Sequence, residues 1–312
     1  MIERLGFGAA SIGNLYREIS DEAARGALEA AWEGGIRTFD TAPHYGLGLS
    51  ERRLGEFLRD QPRDEFRLST KVGRLLEPNP RFDGGTDEAD GFAVPNDHVR
   101  RWDPSLAGVE RSLAGSLERL GLDRVDTLFL HDPDAYDLDD GLARGLPALA
   151  DLRSRGLVEE IGVGVNSVEA AARAVREGDL DVVMIAGRYT LLEQPALDDL
   201  LPLCLERGVR VHAVAVFNSG LLAASDPARS HYDYGDVPAE LVARTERLRA
   251  VCDRHGVPLP AAAMQYPLRH PAVERVIVGT SRAAAVRENI AHMTMRIPEE
   301  LWTDLRAEGL AP

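Results

Sequence analysis

Four titratable residues, Asp40, Tyr45, Lys71 and His131, each fall at or just beyond the end of a short apolar run. The runs are IRTFD, ending on Asp40, FRLSTK, ending on Lys71, and VDTLFLH, ending on His131. Tyr45 lies in APHYGLG, the loop that leaves the first of them. Singly, each has an ordinary reading as a capping carboxylate, a surface ring, an ion-paired cation or a buried imidazole. Together they suit proton transfer at a carbonyl or an alcohol. A free phenol has a pKa of about 10, too high for a base at neutral pH. An ammonium beside it favours the phenolate and pulls that value down, towards the range where a proton moves either way. Asp40 would hold Lys71 charged and in place, and a neutral His131 would donate a hydrogen bond to the reacting oxygen. None of the four accepts a hydride, so redox chemistry at this set requires a cofactor.

Lys71 is conspicuous for another reason. The chain has 36 Lys and Arg residues, and Lys71 is its only lysine. Arginine has replaced lysine everywhere else, so a position that keeps an amine points to a need for a compact, tunable charge. His44, next to Tyr45, is the one other histidine placed to enter the same site.

The elements that must position these residues alternate regularly. Strands are predicted over Leu5–Ala10, Ile36–Asp40, Phe66–Lys71, Val125–His131, Val158–Gly164, Asp181–Ala186, Val209–Val216 and Arg275–Gly279. Several are continuously apolar, as strands covered on both faces should be. Amphipathic helices are predicted over Asp21–Glu33, Leu49–Arg59, Pro104–Leu120, Leu142–Arg155, Val168–Glu177, Pro195–Arg207 and Ala239–His255, with glycines recurring just before the strands. Eight strand–helix units within 312 residues and no linker read as one (β/α)8 barrel over residues 1–312. A doubly wound sheet is the competing arrangement, but its GxGxxG turn is missing: Gly6-Phe7-Gly8 is followed by Ala9 to Ser11. Two irregular stretches, Arg74 to Asp103 and Asn218 to Pro238, follow the third and seventh strands. They leave the strand ends where a barrel builds its site; each reads equally as a tolerated surface insertion or as a lid that would close over a ligand.

Composition narrows the class. The chain is 44% apolar and 28% charged, with a formal charge of −15. A negative field repels phosphate backbones and anionic lipid, so neither nucleic acid nor a membrane surface is an expected partner. Cys204 and Cys252 give no disulfide framework, and no His/Cys cluster suggests a metal. No signal peptide and no apolar run near the ~20 residues of a membrane span are visible, so a cytoplasmic enzyme is expected.

GGIRTFDTAPHYGLGLSERRLGEFL (Gly34 to Leu58), LSTKVG, LFLHDPD and VIVGTSRAAAVRENI (Val276 to Ile290) resemble, in this order, the signatures of the aldo-keto reductase family. The resemblance covers essentially the whole chain. It implies a TIM barrel with an N-terminal hairpin and long loops at the C-terminal face, and a catalytic tetrad of Asp40, Tyr45, Lys71 and His131. It also implies NAD(P) as cofactor, with a sugar or aldehyde as substrate. IGVGVNS, AGRYTLLEQ and VFNSGLL are similar to the branch that oxidises the anomeric carbon of a cyclic sugar to a lactone, the D-threo-aldose and L-fucose dehydrogenases. Pyridoxal oxidation, general aldehyde reduction and a cofactor-sensing regulatory role are the alternatives within the same family.

By the same resemblance, Asn166, Phe217, Ser219, Leu221, Gly279, Thr280, Ser281, Arg282, Glu288 and Asn289 are the expected cofactor contacts. Asn166 is expected at the carboxamide, Phe217 in place of the usual aromatic packing on the nicotinamide, and Glu288 and Asn289 at the adenine. Gly279 and Ala285 stand where many members carry the lysine and arginine that grip a ribose 2′-phosphate. NAD is therefore favoured over NADP, although Arg282 lies near enough in sequence to reach a phosphate.

Overall fold

The structure is a computed structural model that describes residues 1–224, 231–232 and 235–312. Eight parallel strands close into a barrel: β1 (Leu5–Gly8), β2 (Thr38–Asp40), β3 (Arg67–Val72), β4 (Thr127–His131), β5 (Glu160–Val165), β6 (Val182–Ala186), β7 (Arg210–Val214) and β8 (Val273–Val278). Each strand pairs with its sequence neighbours, and β8 closes the ring onto β1 with Phe7 opposite Val278. The strands are almost wholly buried because helices cover their outer face and side chains fill their inner one. Phe129, Val182, Met184 and Ile277 form a cluster of their own, apart from the main core. Met184 and Ile277, with Val214, reach up to the cavity described below.

Local chemistry explains the covering helices. Ser20, Ser105 and Ser167 each accept a hydrogen bond from a backbone N–H at the start of Asp21–Glu33, Leu106–Leu120 and Val168–Glu177. Gly121 and Gly208 end their helices in the left-handed conformation. Two helices differ from the sequence expectation. The stretch from Leu142 begins with a π-helical turn, Gly141–Gly145, before the α-helix Leu146–Ser154. The stretch from Pro195 breaks into a short turn and the helix Leu200–Arg207.

The expected N-terminal hairpin is not formed. A single 3-10 turn, Ile2–Arg4, leads directly into β1, and Leu5–Gly8 is a strand of the barrel wall itself. The antiparallel pairing occurs instead in the insertion after β3. Arg74–Pro78 pairs with His98–Trp102, and Thr86–Asp87 pairs with Phe92–Pro95. This folded ribbon is also stitched to the loop after β1 by a bridge between Leu15 and Phe92. The candidate lid after β7 falls partly outside the described residues. Among those described, no helix is long and apolar enough to cross a membrane.

Candidate active site

The C-terminal ends of the strands enclose a cavity of about 320 Å³, and Asp40, Tyr45, Lys71 and His131 all line it. Asp40 and Lys71 face each other from the ends of β2 and β3, with Lys71 Nζ donating to Asp40 Oδ2 at 2.6 Å and to the Thr41 carbonyl at 3.0 Å. Ser69 Oγ donates to the other carboxylate oxygen at 2.7 Å, so the acid cannot rotate away. The ammonium also lies 4.7 Å from the centre of the Tyr45 ring. His131, at the end of β4, packs edge-on against that ring with centroids 5.8 Å apart. The four side chains that the sequence singles out are thus brought together at one cavity.

Tyr45 reaches the mouth because its loop folds tightly against the segment after β1. Gly46 has φ +61°, and a Cβ there would drive into the backbone of Gly13. Only glycine meets both demands.

The electrostatics correct one expectation. Burial raises the Tyr45 pKa, the Lys71 ammonium opposes it, and Asp40 adds to the rise, so the phenol ends above its ordinary value rather than below it. Loss of water around a phenolate outweighs the single cation. Burial also works against the Lys71 ammonium, but Asp40 and the Tyr45 oxygen outweigh it and the amine stays charged. Burial and the neighbouring cations Arg74, Lys71 and Arg100 hold His131 neutral, and the same influences, burial first, lower His44 to about 2. Each of these two histidines keeps a buried Nδ1 with no hydrogen-bond partner among the described residues. The site thus has a phenol ready to exchange a proton, a fixed cation beside it and a neutral imidazole across the cavity. That arrangement suits proton transfer to or from an oxygen that gains and loses negative charge.

The chain matches the Aldo/keto reductase family over residues 4–308. It belongs to that family. This aldo/keto reductase is 53% identical to a D-threo-aldose 1-dehydrogenase from a Pseudomonas species, across 100% of this chain and 95% of the relative. It is 40% identical to a pyridoxal 4-dehydrogenase from Microbacterium luteolum, across 99% and 94%. Its backbone superposes on the holo form of an aldo-keto reductase from Bacillus halodurans with a TM-score of 0.76, at 26% identity, covering 99% of this chain and 92% of that one. It is an NAD(P)-dependent oxidoreductase.

The residues around the cavity fit a dinucleotide. Gly8 and Gly279, at the ends of the adjacent strands β1 and β8, both line the cavity. A Cβ on Gly279 would lie 2.5 Å from the Gly8 carbonyl oxygen and 3.6 Å from Ser11 Oγ. That hydroxyl is buried and has no partner among the described residues. Just beyond, Thr280 Oγ1 accepts from the Arg282 N–H, and the helix Ala283–Thr294 starts with no side chain capping it. Its first N–H groups are open to an anion.

Not every expected cofactor contact falls into place. Asn166 and Gly279 line the cavity; Ser219, Ser281, Arg282, Glu288 and Asn289 do not. Ser219, Arg282 and Glu288 are exposed, and Asn289 with Thr280 borders a small crevice over β1 and β8. Leu221 is fully buried in the core, so its side chain is a packing residue. Phe217 likewise packs against the core, while Val214 and Ala215 take the place beside the cavity where it was expected.

Four residues near the mouth were not anticipated. Phe92 from the ribbon closes one wall and meets His44 edge-on at 5.3 Å. Arg100 ties His44 down through its carbonyl at 2.9 Å and is itself held by Asp87 and Asp90. Asp132, directly after His131, is gripped by Arg74 at 2.6 Å. For the last pair the signal HDPD was visible in sequence, but its arginine partner was not.

Proposed function

We propose that this aldo/keto reductase is a cytoplasmic aldose 1-dehydrogenase that oxidises C1 of a cyclic sugar to the lactone, with NAD+ favoured over NADP+. One observation carries the reading. The only cation lining the cavity among the described residues, Lys71, is paired with Asp40, while Asp132 and Asp90 are held from outside it by Arg74 and Arg100, the latter shared with Asp87. A ligand in this cavity meets polar groups but no unpaired cation, as suits a neutral polyhydroxy compound rather than a carboxylate or a sugar phosphate. The 53% identical relative, a D-threo-aldose 1-dehydrogenase, supports the same class.

In this reading the nicotinamide, when bound, supplies the hydride acceptor. Tyr45, having released its own proton to solvent, takes as phenolate the proton of the anomeric hydroxyl, and Lys71 compensates that phenolate until it is protonated. Asp40 fixes Lys71, Ser69 fixes Asp40, and neutral His131 orients the hydroxyl by a hydrogen bond. Asn166 and the backbone at Gly8 and Gly279 hold the nicotinamide end of the cofactor, while Thr280, Ser281, Arg282, Glu288 and Asn289 serve the adenosine end. Gly279 cannot be a lysine without displacing Gly8, which removes one of the two cations that would have gripped a 2′-phosphate.

The test is reduction of NAD+ measured against L-fucose, D-arabinose, D-galactose and pyridoxal. Turnover of at least one of the aldoses with kcat/KM well above that for pyridoxal is expected. Oxidation of pyridoxal alone would replace the sugar reading with that of the Microbacterium relative.

A further inference from the structure

Asp132 is a curious residue to find where it is. It follows His131 at the end of β4 and adopts φ +42° and ψ +60°, the left-handed conformation in which a side chain is strained. Glycine adopts that turn most easily, and Asp is one of the few other residues that tolerates it. The carboxylate lines the cavity, and its Oδ2 lies 3.5 Å from His131 Nε2. Arg74, nearly buried itself, donates to that same Oδ2 at 2.6 Å. The guanidinium in turn lies 5.3 Å from the Tyr136 ring, which stacks on Trp102 with centroids 4.8 Å apart. The hydrogen bond and the histidine contact both engage Oδ2, and Oδ1 has no hydrogen-bond partner among the described residues.

We infer that Asp132, held by Arg74, is the group that recognises substrate hydroxyls, accepting a hydrogen bond from the hydroxyl on the carbon next to the one that loses hydride. This rests on the aldose reading above and adds to it the residue that distinguishes a sugar from a plain aldehyde. His131 and Asp132 are consecutive, so the oxygen bound by the imidazole and the oxygen bound by the carboxylate are neighbours, as the hydroxyls on C1 and C2 of an aldose are. The acceptor is anionic, and a hydrogen bond to a charged group is among the stronger kinds. The clamp fixes its orientation before substrate arrives, so little ordering is required on binding. Burial raises the Asp132 pKa above the ordinary carboxylate value and Arg74 opposes that rise, so the guanidinium is the group that favours the charged form of the acceptor.

The experiment compares wild type, Asp132→Asn and Asp132→Ala on three substrates: L-fucose, 2-deoxy-L-fucose, and butanal in the reducing direction with NADH. In Asp132→Ala, kcat/KM for L-fucose should fall about 100-fold, mainly through KM, consistent with loss of a charge-assisted hydrogen bond. The 2-deoxy sugar and butanal, which lack the hydroxyl, should stay within about threefold of wild type. Asp132→Asn keeps a weaker, neutral acceptor and should lie in between. An equal loss on all three substrates would instead assign Asp132 to positioning His131, and an unchanged KM for L-fucose would remove it from recognition. Wild-type protein that reduces butanal but oxidises no aldose would defeat the aldose reading itself, whatever the variants do.

Discussion

Thr70 Oγ1 donates to Glu51 Oε1 at 2.8 Å, joining the residue before Lys71 to the helix that follows the Tyr45 loop. Glu51 is fully buried, and its other oxygen accepts from Arg119 Nε at 2.6 Å. Three separate elements, the helix Leu49–Leu58, β3 and the helix Leu106–Leu120, are thereby locked in one register, and with them the spacing of phenol and ammonium.

Removing the cation of this anchor should therefore be costly. Arg119→Met leaves the Glu51 carboxylate buried with only Thr70 to satisfy it, and breaking a buried pair from one side costs about 3–5 kcal/mol. Urea unfolding should show a loss of that size. A change below about 1 kcal/mol would mean that water reaches Glu51 and that the anchor is weak.

Tyr45→Phe keeps the ring and removes the proton acceptor. Turnover should drop about 10²–10⁴-fold while cofactor binding, followed by NADH fluorescence, is retained. Near-normal kcat would take Tyr45 out of the chemistry.

Lys71 lowers a phenol pKa that burial has raised, so weakening its effect lets the phenol rise further. The basic limb of the kcat/KM profile for sugar oxidation, measured from about pH 6 to 10.5, should move to higher pH in Lys71→Arg, because the planar guanidinium cannot occupy the ammonium's position. An unshifted limb with full activity would return Lys71 to a purely structural role.

The histidines give the opposite signature. His44 and His131 have folded-state pKa values far below 6.5, so both are neutral throughout the working range. The activity profile should show no ionisation near pH 6.5. Stability carries the signal instead. Below pH 6.5 the unfolded chain takes up protons that the folded chain refuses, so stability falls as pH drops. Each such histidine contributes up to about 1.4 kcal/mol per pH unit. A melting temperature that is flat from pH 7 to 5 would contradict their burial in neutral form.

NAD+ should show the lower KM of the two cofactors. Arg282 is exposed and has no ion-pair partner among the described residues, so it is the cation left to meet an extra phosphate. Arg282→Ala should raise KM for NADP+ further and leave NAD+ nearly unchanged. Equal affinity for both in wild type would overturn the preference.

The barrel was legible because parallel strands buried on both faces leave continuous apolar runs, and because serine caps and glycine stops punctuate the helices between them. The meeting of Asp40, Tyr45, Lys71 and His131 at one end of the barrel was legible for the same reason: strand ends are the easiest boundaries to find, and each of the four sits on or just beyond one. What sequence could not supply is pairing across the fold. Arg74 reaches Asp132 and Arg100 reaches His44 through a ribbon of short polar strands that carries no strong periodicity. The rise of the Tyr45 pKa was hidden as well, since charge partners can be guessed from a strand order but full burial cannot. Leu221 shows the converse, a residue placed near the cofactor by motif that packing turns inward.

The lone lysine has a chemical corollary for a protein that handles aldehydes. Reducing sugars and pyridoxal condense with accessible amines to form imines, and a surface rich in lysine is slowly modified by the very compounds it processes. Here the only side-chain amine is 2% exposed and held as an ammonium by Asp40. A charged amine is not a nucleophile, and arginine does not form imines under mild conditions. The surface offers such compounds no side-chain amine on which to condense, and amine-directed reagents would find their single side-chain target only by entering the cavity at the strand ends.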